Sequence, residues 1–467
     1  MAREVTILGA GLVGSLLAII LRKRGYEVTL YERRQDMRSA SISAGKSINL
    51  AMSARGWKAL ELAGLKEEME PIAIPMYGRY LHQPDGNTAF QPYSRNNEAI
   101  YSVSRGELNR KLMTLAEKNG STIHFEHRCT HVDVATNTLH FELPGKTQKV
   151  IQADLLFGAD GAFSALRESY THMNRVNCDQ HYLEYGYKEL TILPGKNGEW
   201  LMEKNALHIW PRGKYMMIAL PNTDGTFTCT MFMPFEGEGM SFAKLNTEKD
   251  VTDLFDKQFA DAKSLMPGLL EDFFTNPTSA LITTHIFPWH YKDKSALIGD
   301  AAHAIVPFYG QGMNAGFEDC TVLSSLLSFG KKLTMTNEDG WDEILKEYEV
   351  RRKPNGDAVA QLALLNFTEM RDKVADHKFL ERKKIEKELG NRYPEQFVSV
   401  YEMVSFSHTP YNTAIQCIQA QDKLLQQIME EGDFFVKVND AGFGNRLGKW
   451  ITEYHNAVQQ LDFGNEA

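Results

Sequence analysis

A glycine-rich turn near the N-terminus constrains the fold more than any other part of the sequence. The turn has the pattern Gly9-x-Gly11-x-x-Gly14. An apolar run at 5–8, predicted to form a strand, precedes it, and a stretch of helical composition at 12–24 follows it. The first glycine permits a tight bend, the second lets a pyrophosphate approach backbone N–H groups, and the third lets strand and helix pack closely. The helix N-terminus adds positive partial charge, so the turn predicts a dinucleotide site.

A second predicted strand at 27–31 completes a strand–helix–strand unit. Gly25 suits the C-terminal end of the helix, and Glu32 follows the second strand, eighteen residues after Gly14. A carboxylate at that place can accept hydrogen bonds from the two hydroxyls of a ribose. Because such a unit joins parallel strands, we predict an α/β protein with a doubly wound parallel sheet.

Charge and cysteine content disfavour several other classes of protein. Lys plus Arg total 51 and Asp plus Glu total 60, giving a formal net charge of −9. The chain therefore lacks the overall positive charge that favours binding to nucleic acid. Five widely spaced cysteines without a C-x-x-C pair argue against a disulfide framework and against a zinc site, and no metal is expected. The uncharged run at 5–21 is short for a membrane span, so we expect a soluble, cytoplasmic protein without a transmembrane segment.

Two further motifs follow predicted strands later in the chain. Asp160 lies in ADGAFSALR (159–167), which taken alone is equally well an ordinary Asp-Gly turn. Asp300 lies in LIGDAAH (297–303), and a glycine-rich stretch then opens a helix near Gly312. The carboxylate of Asp300 can bind polyol hydroxyls, and the N–H groups of that helix can face the pyrimidine edge of a flavin.

Taken in this order, the motifs resemble those of the FAD-dependent aromatic hydroxylases, in which GxGxxG, DGxxSxxR and GD motifs line one FAD. The resemblance implies a Rossmann-like FAD-binding domain interleaved with a mostly β substrate domain, plus a helical C-terminal region. We expect the FAD-binding domain at 1–70, 101–180 and 285–330, the substrate domain at 71–100 and 181–284, and the helical region at 331–467.

Local patterns add three expectations about secondary structure. The stretch Pro84-Asp85-Gly86-Asn87 predicts the tip of a β-hairpin. A turn at 222–225 is predicted between two further strands, and residues 250–274 are predicted to be helical.

Longer segments resemble the kynurenine 3-monooxygenases within that family, over nearly the whole chain. They are LIGDAAHAIVPFYGQGMNAGFEDC (297–320), ISAGKSINLAMSARGWKALE (42–61) and YSVSRGELNRKL (101–112). The resemblance implies hydroxylation of L-kynurenine to 3-hydroxykynurenine with FAD, NADPH and O₂, in tryptophan catabolism towards quinolinate and NAD synthesis. With one dinucleotide fingerprint present, it implies that NADPH binds transiently. Eukaryotic relatives end in a hydrophobic membrane anchor that this sequence does not show, so a bacterial-type enzyme is expected.

The same resemblance implies a substrate site. The family's substrate carboxylate clamp and aromatic-ring site fall on Arg79, Tyr93, Asn366, Tyr401, Phe308, Glu369 and Met370. An arginine fork and a tyrosine hydroxyl can form charge-assisted hydrogen bonds to a carboxylate. Taken without the resemblance, Arg79 is more simply a solvated cation in a hairpin and Tyr93 a half-buried aromatic of a strand.

The cofactor positions implied by the resemblance extend over about two-thirds of the chain. They are Gly9, Gly11, Val13, Gly14, Tyr31, Glu32, Arg33, Arg34, Ala51, Arg105, Cys129, Asp160, Asp300, Gly312, Met313 and Asn314. Two residues depart from the family pattern: Cys129 stands where a relative has an apolar residue, and Tyr309 stands where others have Phe or His. No side chain is assigned a catalytic role, because the flavin supplies the chemistry. His303 is interpreted as structural, since an aniline ring is already activated by its own nitrogen.

Three alternatives remain open. The first is an FAD hydroxylase for another amino- or hydroxy-aromatic acid, and the second is a flavin reductase or dehydrogenase that does not insert oxygen. The third is a flavin-binding sensor or interaction module without enzymatic activity. The sequence leaves the oligomeric state open, including a homo-oligomer.

Overall fold

A six-stranded, mainly parallel sheet forms one of the two large layers of the computed structural model, which describes residues 3–39, 49–94, 96–332, 340–369 and 377–461. In spatial order its strands are β18 (His290–Tyr291), β19 (Ser295–Leu297), β12 (Leu155–Gly158), β1 (Glu4–Leu8), β2 (Glu27–Tyr31) and β8 (Thr122–His124). All neighbours are parallel except β18, which is antiparallel to β19. The predicted parallel α/β sheet is therefore confirmed.

The first helix, α1 (Leu12–Lys23), connects β1 to β2 and is buried on nearly every side. Its residues from Gly14 to Leu21 are all buried. This explains why the sequence there is apolar throughout and does not alternate between an apolar and a polar helix face. The helix ends where Gly25 adopts φ 88°, a left-handed conformation that glycine tolerates best.

A seven-stranded, mainly antiparallel sheet forms the second large layer. Its spatial order is β17 (Ser279–Phe287), β13 (Asn177–Ile192), β16 (Phe227–Pro234), β15 (Tyr215–Pro221), β14 (Leu207–Arg212), β5 (Gly78–His82) and β6 (Thr88–Pro92). The predicted hairpin tip at 84–87 joins β5 to β6, and the predicted turn at 222–225 joins β15 to β16. Both local predictions are confirmed.

The helix predicted at 250–274 is instead three helices that pack on one face of this sheet. They are α6 (Glu248–Gln258), α7 (Ala260–Lys263) and α8 (Leu269–Thr275). Phe259 leaves the helical conformation between the first two, with φ −138° and ψ 36°. Pro267 disfavours the helical conformation at the preceding residue, which separates α7 from α8.

The remaining described elements are two three-stranded sheets and twelve helices. The sheets contain β3 (Asn49–Met52), β7 (Ile100–Ser104) and β4 (Ala73–Met76), and β11 (Gln148–Gln152), β10 (Thr138–Glu142) and β9 (Arg128–Asp133). The earlier helices are α2 (Ala54–Leu62), α3 (Lys66–Met69), α4 (Arg105–Lys118), α5 (Ala165–Thr171) and α9 (Asp300–His303). The later helices are α10 (Gly312–Lys332), α11 (Trp341–Thr368), α12 (His377–Arg392), α13 (Val400–Phe406), α14 (Tyr411–Glu431), α15 (Phe434–Lys437) and α16 (Ala441–Gln459).

The C-terminal third is helical where it is described, as predicted, and α11, α12, α13, α14, α15 and α16 share a hydrophobic core of their own. Strands of the six-stranded sheet come from separate stretches of the chain, with strands of the seven-stranded sheet between them. The interleaved α/β architecture is confirmed, whereas the exact domain boundaries stay predictions. None of the described helices is long and apolar enough to cross a membrane.

A buried ion-pair network ties α10 to helices from distant parts of the chain. It consists of Arg55, His303, Glu318, Asp319 and Arg352, each at most 6% exposed. Arg352 in α11 donates to Glu318 Oε2 at 2.6 Å and to Asp319 Oδ1 at 2.7 Å. Arg55 in α2 donates to the other carboxylate oxygen of Glu318. Two adjacent acids of α10 are thus held by arginines from α2 and α11.

Asp319 extends this network to the loop that follows β19. Its Oδ2 accepts a hydrogen bond from the backbone N–H of Gly299 at 2.9 Å and lies 2.6 Å from His303 Nε2. Burial alone would raise the pKa of Asp319, but the charges of His303 and Arg352 bring it below its usual value. The carboxylate is therefore ionised, and it fixes the turn that presents Asp300.

Replacing Asp319 by Asn should destabilise the protein strongly. The change leaves the buried guanidinium of Arg352 without one of its two anionic partners. Breaking a buried pair in this way costs about 3–5 kcal/mol. Urea unfolding at pH 7, followed by circular dichroism, measures this loss of unfolding free energy.

The matched control is Asp253→Asn, which breaks the exposed pair of Asp253 with Lys249 on α6. Solvent screens that pair, so the unfolding free energy should stay nearly unchanged. Equal effects of the two substitutions would contradict the central role assigned to Asp319.

Candidate functional site

The three sequence motifs lie side by side at one edge of the six-stranded sheet. Gly9 follows β1, Asp160 comes after β12, and Asp300 comes after β19, and these parallel strands are direct neighbours. Glu32 follows β2, on the other side of β1. The motifs therefore meet at the carboxyl ends of four adjacent strands, which is where open α/β sheets bind their ligands.

Close backbone contacts join these motifs. A Cβ atom on Gly14 would lie 2.1 Å from the carbonyl oxygen of Gly9, and one on Gly9 would lie 2.5 Å from that of Ala159. The side chain of Val13 packs against Gly299, where an added Cβ would lie 3.0 Å from a Val13 methyl group. The glycines at these positions permit the first motif to contact the second and the third.

Two observations at this edge fit the binding of FAD. An added Cβ on Gly11, which caps α1, would meet no atom within 4 Å, so the backbone there borders open space. Asp160 accepts a hydrogen bond from the N–H of Ala165 at 2.7 Å through Oδ2, whereas its buried Oδ1 has no partner among the described residues. A buried acceptor of this kind normally has a hydrogen-bond donor as its partner. A hydroxyl or N–H group of a ligand can be that donor.

Glu32 is positioned by its neighbours at the end of β2. Its carboxylate accepts hydrogen bonds from the N–H of Ala10 at 3.0 Å and from Nε of Arg34 at 2.8 Å. Burial would raise the pKa of Glu32, but the guanidinium of Arg34 and backbone N–H donors lower it. The ring of Tyr31 is buried against this end of the sheet, while Arg33 is exposed.

The third motif ends at the N-terminus of α10. The side chain of Asn314 is fully buried, and its amide donates to the carbonyl oxygens of Ala51 at 2.8 Å and Gly310 at 2.9 Å. Its Oδ1 accepts from the N–H of Ser53 at 2.9 Å. The side chain thus fixes the first turn of α10, which begins at Gly312 and continues through the buried Met313, against β3.

Two of the predicted cofactor residues lie on other elements. Cys129 is half-buried in β9, where burial and the charge of Asp160 raise the pKa of its thiol to about 12. The thiol is therefore protonated and lies close to the second motif. Arg105 is the first residue of α4 and is exposed.

Arg79, Tyr93 and Tyr401 form an arginine–tyrosine cluster. The guanidinium carbon of Arg79 lies 5.3 Å from the ring centroid of Tyr93 and 4.8 Å from that of Tyr401. The two rings stack on each other with centroids 5.4 Å apart. The buried Nε of Arg79 and hydroxyl of Tyr93 have no hydrogen-bond partner in the part of the chain that is described. A carboxylate could accept from both groups.

An aromatic cluster surrounds Phe308. Its ring stacks on Phe367 with centroids 4.3 Å apart and lies 4.9 Å from Phe232. Asn366 donates its amide N–H to the carbonyl oxygen of Phe308 at 2.6 Å, so this side chain holds the backbone of the aromatic position. Tyr309, the next residue, links the two clusters.

The rings of Tyr309 and Tyr401 are stacked with centroids 5.9 Å apart. Sequence reasoning noted Tyr309 only as a departure from the family pattern and did not identify Phe232 or Phe367 at all. Phe232 lies in β16, where every residue from Phe227 to Met233 is buried, so nothing in the strand distinguishes it from ordinary core residues.

The other two predicted substrate residues lie near the end of α11. Glu369 follows the helix, and its Oε2 is 3.9 Å from Nζ of Lys383. Met370 lies outside the described residues.

Gly14→Ala and Gly11→Ala should separate packing from cofactor binding. The methyl group on residue 14 collides with the carbonyl of Gly9, and overpacking of this kind costs about 1–3 kcal/mol of stability. The methyl group on residue 11 meets no protein atom, and its φ of −73° suits any residue, so the apoprotein should remain as stable as the parent.

Gly11→Ala should nevertheless bind FAD more weakly, because its methyl group enters the space that the pyrophosphate requires. Thermal unfolding of the apoproteins and titration with FAD measure the two effects. Undiminished FAD affinity in Gly11→Ala would contradict the assignment of this turn.

Comparisons with known proteins agree with this geometry. The model of the FAD binding domain family matches residues 2–363. The kynurenine 3-monooxygenase of Christiangramia forsetii is 48% identical over 92% of this chain and 94% of that protein. The kynurenine 3-monooxygenase of Dictyostelium discoideum is 44% identical over 92% of this chain and 94% of that protein.

Solved structures show the same fold at lower identity. The tetrameric form of 2-methyl-3-hydroxypyridine-5-carboxylic acid oxygenase has a TM-score of 0.63 and 20% identity, covering 80% of this chain and 94% of that one. The PqsL protein of P. aeruginosa, solved with 2-aminobenzoylacetate, has a TM-score of 0.62 and 18% identity, covering 80% and 97%. The chain, an FAD-binding enzyme, belongs to the kynurenine 3-monooxygenase family.

Proposed function

We propose that this enzyme hydroxylates L-kynurenine at the ring position ortho to its amine, giving 3-hydroxykynurenine, with NADPH and O₂ as co-substrates. The main support is the arginine–tyrosine cluster, in which the guanidinium of Arg79 lies over the ring of Tyr93 and both Nε of Arg79 and the hydroxyl of Tyr93 are buried without a hydrogen-bond partner among the described residues. It is linked through Tyr309 to the aromatic cluster around Phe308. A zwitterionic amino acid with an aromatic ring matches both features.

The amino-acid end of the substrate explains why an arginine with a buried Nε is needed. The α-carboxylate of kynurenine accepts two parallel hydrogen bonds from a guanidinium fork, and a tyrosine hydroxyl can add a third. Such bonds are strong where water is excluded, and Tyr93 is only 9% exposed. Arg79 and Tyr93 would therefore set the position of the substrate along the pocket.

The aromatic end of the substrate would pack against Phe308, with Phe232 and Phe367 behind it. These rings exclude water from the neighbourhood of the reacting carbon, which limits unproductive side reactions. Asn366 fixes the backbone of Phe308 by its hydrogen bond, so the ring site is rigid. Orientation of a bound ring within a fixed pocket is a large part of what a protein contributes to such a reaction.

Cofactor binding would use the residues at the edge of the six-stranded sheet. The turn around Gly11 would hold the pyrophosphate, Glu32 a ribose, Asp300 the ribityl chain and the N-terminus of α10 the flavin ring. FAD supplies the redox and oxygen-activating chemistry when it is bound.

A protein base is not required for this chemistry, because the amino group of the substrate already donates electrons to its ring. His303, the histidine closest in sequence to Asp300, has its Nε2 paired with Asp319 and is 3% exposed. Its place in the ion-pair network supports a structural role.

All five cysteines are free thiols, which supports a reducing compartment, and we place the enzyme in the cytoplasm. We also retain the boundaries proposed for the FAD-binding pieces (1–70, 101–180, 285–330), the substrate pieces (71–100, 181–284) and the helical region (331–467).

A direct assay tests this function. The purified, FAD-loaded protein should oxidise NADPH much faster when L-kynurenine is present, consume oxygen and form 3-hydroxykynurenine. FAD binding without any 3-hydroxykynurenine would contradict the proposed substrate. Fast NADPH oxidation that yields only hydrogen peroxide would indicate a reductase instead.

Arg79→Ala should weaken L-kynurenine binding by at least about 30-fold, since truncating a buried charged partner costs about 2–5 kcal/mol. The FAD content should not change, because Arg79 belongs to the seven-stranded sheet. Titration calorimetry with the anaerobic holoenzyme gives the affinity, and the flavin absorbance gives the FAD content.

Arg351→Ala is the matched control, because Arg351 is 43% exposed and pairs with Glu347 on the surface of α11. Its affinity for L-kynurenine should equal that of the parent. An unchanged affinity in Arg79→Ala would contradict the role of the arginine–tyrosine cluster.

A further inference from the structure

Strand β5 places Arg79 and His82 on opposite faces of the seven-stranded sheet, because side chains alternate along a strand. Arg79 contacts two tyrosine rings on the substrate side. On the other side, the ring of His82 stacks on Trp210 with centroids 4.1 Å apart. Trp210 belongs to the core shared with α6, α7 and α8. One short strand therefore connects the substrate cluster with the helical layer.

His82 is the centre of a chain of hydrogen bonds on the helical side. Its Nδ1 lies 2.8 Å from Asp261 Oδ2, and its Nε2 lies 2.9 Å from His208 Nδ1. Nε2 of His208 in turn lies 2.9 Å from the carbonyl oxygen of Glu203. Trp210 donates its Nε1–H to Asp261 at 2.9 Å.

The order of donors and acceptors determines how many ring protons this series of hydrogen bonds contains. A carbonyl oxygen only accepts, so His208 is protonated on Nε2, and when neutral it accepts from Nε2–H of His82 through its Nδ1. His82 Nδ1 faces a carboxylate oxygen, which is also an acceptor. A hydrogen bond between Nδ1 of His82 and Oδ2 of Asp261 therefore requires one additional proton in this series of hydrogen bonds.

The two partners of His82 in this hydrogen-bonded chain have shifted pKa values. Burial would raise the pKa of Asp261, but hydrogen bonds from His82 and Trp210 bring it down to about 2. Burial lowers the pKa of His208 to about 4. Asp261 is thus a carboxylate and His208 a neutral ring near neutral pH.

Every neighbouring element contributes a titratable or charged group to this environment. Asp261 comes from α7, His208 and Arg212 from β14, Glu203 from the loop before β14, and Tyr80 from β5 itself. Arg212 donates to the carbonyl oxygen of His82 at 2.8 Å and to that of Gln258 in α6 at 2.6 Å. Asp261 places a carboxylate on the other side of the His82 ring.

The backbone of β5 has few other supports. Its partner β6 is exposed along its whole length and forms the edge of the sheet. On the other side, β5 pairs with β14 over only three residue pairs, from Leu207↔Arg79 to Ile209↔Leu81. Since an isolated hairpin is marginally stable in water, the attachment of His82 to the helical layer decides how firmly Arg79 is held.

We propose that His82, held as an imidazolium between Asp261 and His208, is a positioning residue that fixes strand β5 and so places Arg79 for the substrate carboxylate. The effect on substrate rests on the proposed function, whereas the effect on β5 does not.

Asp261→Asn tests the charge while preserving hydrogen bonds. The new amide can donate to Nδ1 of a neutral His82 and still accept from Trp210. The KM for L-kynurenine should rise about tenfold with kcat within about twofold of the parent, the pattern for loss of ground-state binding. His82→Ala should raise KM further, and both variants should keep their FAD. Asp256→Asn, which breaks the surface pair between Asp256 of α6 and Lys263 of α7, should leave KM unchanged.

Two measurements without substrate separate this proposal from the proposed function. Long-range ¹⁵N NMR of the histidine-labelled holoenzyme at pH 7 should show both ring nitrogens of His82 protonated in the parent and one in Asp261→Asn. Amide hydrogen exchange at 78–92 should be faster in Asp261→Asn than in Asp256→Asn.

The outcomes are distinguishable. A neutral His82 in the parent would overturn the proposal, as would a lower melting temperature in Asp261→Asn with unchanged KM and unchanged exchange at 78–92. An imidazolium with faster exchange, in a parent that does not turn over L-kynurenine, would support the positioning of β5 and refute the proposed function.

Discussion

Two adjacent acids in α10 connect this helix to α2 and α11 through buried ion pairs. Glu318 and Asp319 are buried, and an ionised carboxylate in that position is stable only with all of its partners in place. The arginines that satisfy them come from α2 and α11, and Arg55 also donates to the carbonyl oxygen of Thr409 and lies 4.0 Å from the ring centroid of Tyr411. The cofactor-binding edge and the C-terminal helices are therefore joined through one charged centre.

The same network determines where both ends of the functional site lie. α10 begins at Gly312, beside the predicted flavin position, and reaches the network two turns later. α11 contains Arg352 in the network and Asn366, which holds Phe308, fourteen residues and about 21 Å further along. Because both helices are anchored at the same acids, the cofactor edge and the aromatic cluster have a fixed separation. A reaction between a bound flavin and a bound ring depends on such a separation.

Arg79, the proposed partner of the substrate carboxylate, lies on β5, the strand next to the edge of the seven-stranded sheet. β5 belongs to an edge hairpin, and its stability comes from contacts on both of its faces, with Arg79 on one face and His82 on the other. Binding of a carboxylate by a buried arginine requires a fixed backbone, since the guanidinium fork has strict geometry. The helices α6, α7 and α8 contain no predicted site residue, but Asp261 of α7 contacts His82 of β5, so they are connected through the sheet to the strand of Arg79.

The sequence by itself determined the strand–turn–helix unit around Gly11, the parallel sheet and the helical C-terminal third, because these depend on short-range periodicity and on glycine conformations. It also singled out Asp160, Asp300 and Arg79 as candidate site residues through local motifs and family resemblance, and these roles stay predictions. The tertiary structure alone decided that Arg55, Glu318, Asp319 and Arg352 meet, that Phe232 and Phe367 surround Phe308, and that residues 250–274 form three helices. Contacts between residues far apart in sequence leave no local periodicity, because a buried charge and its partner can each lie on an otherwise ordinary helix face.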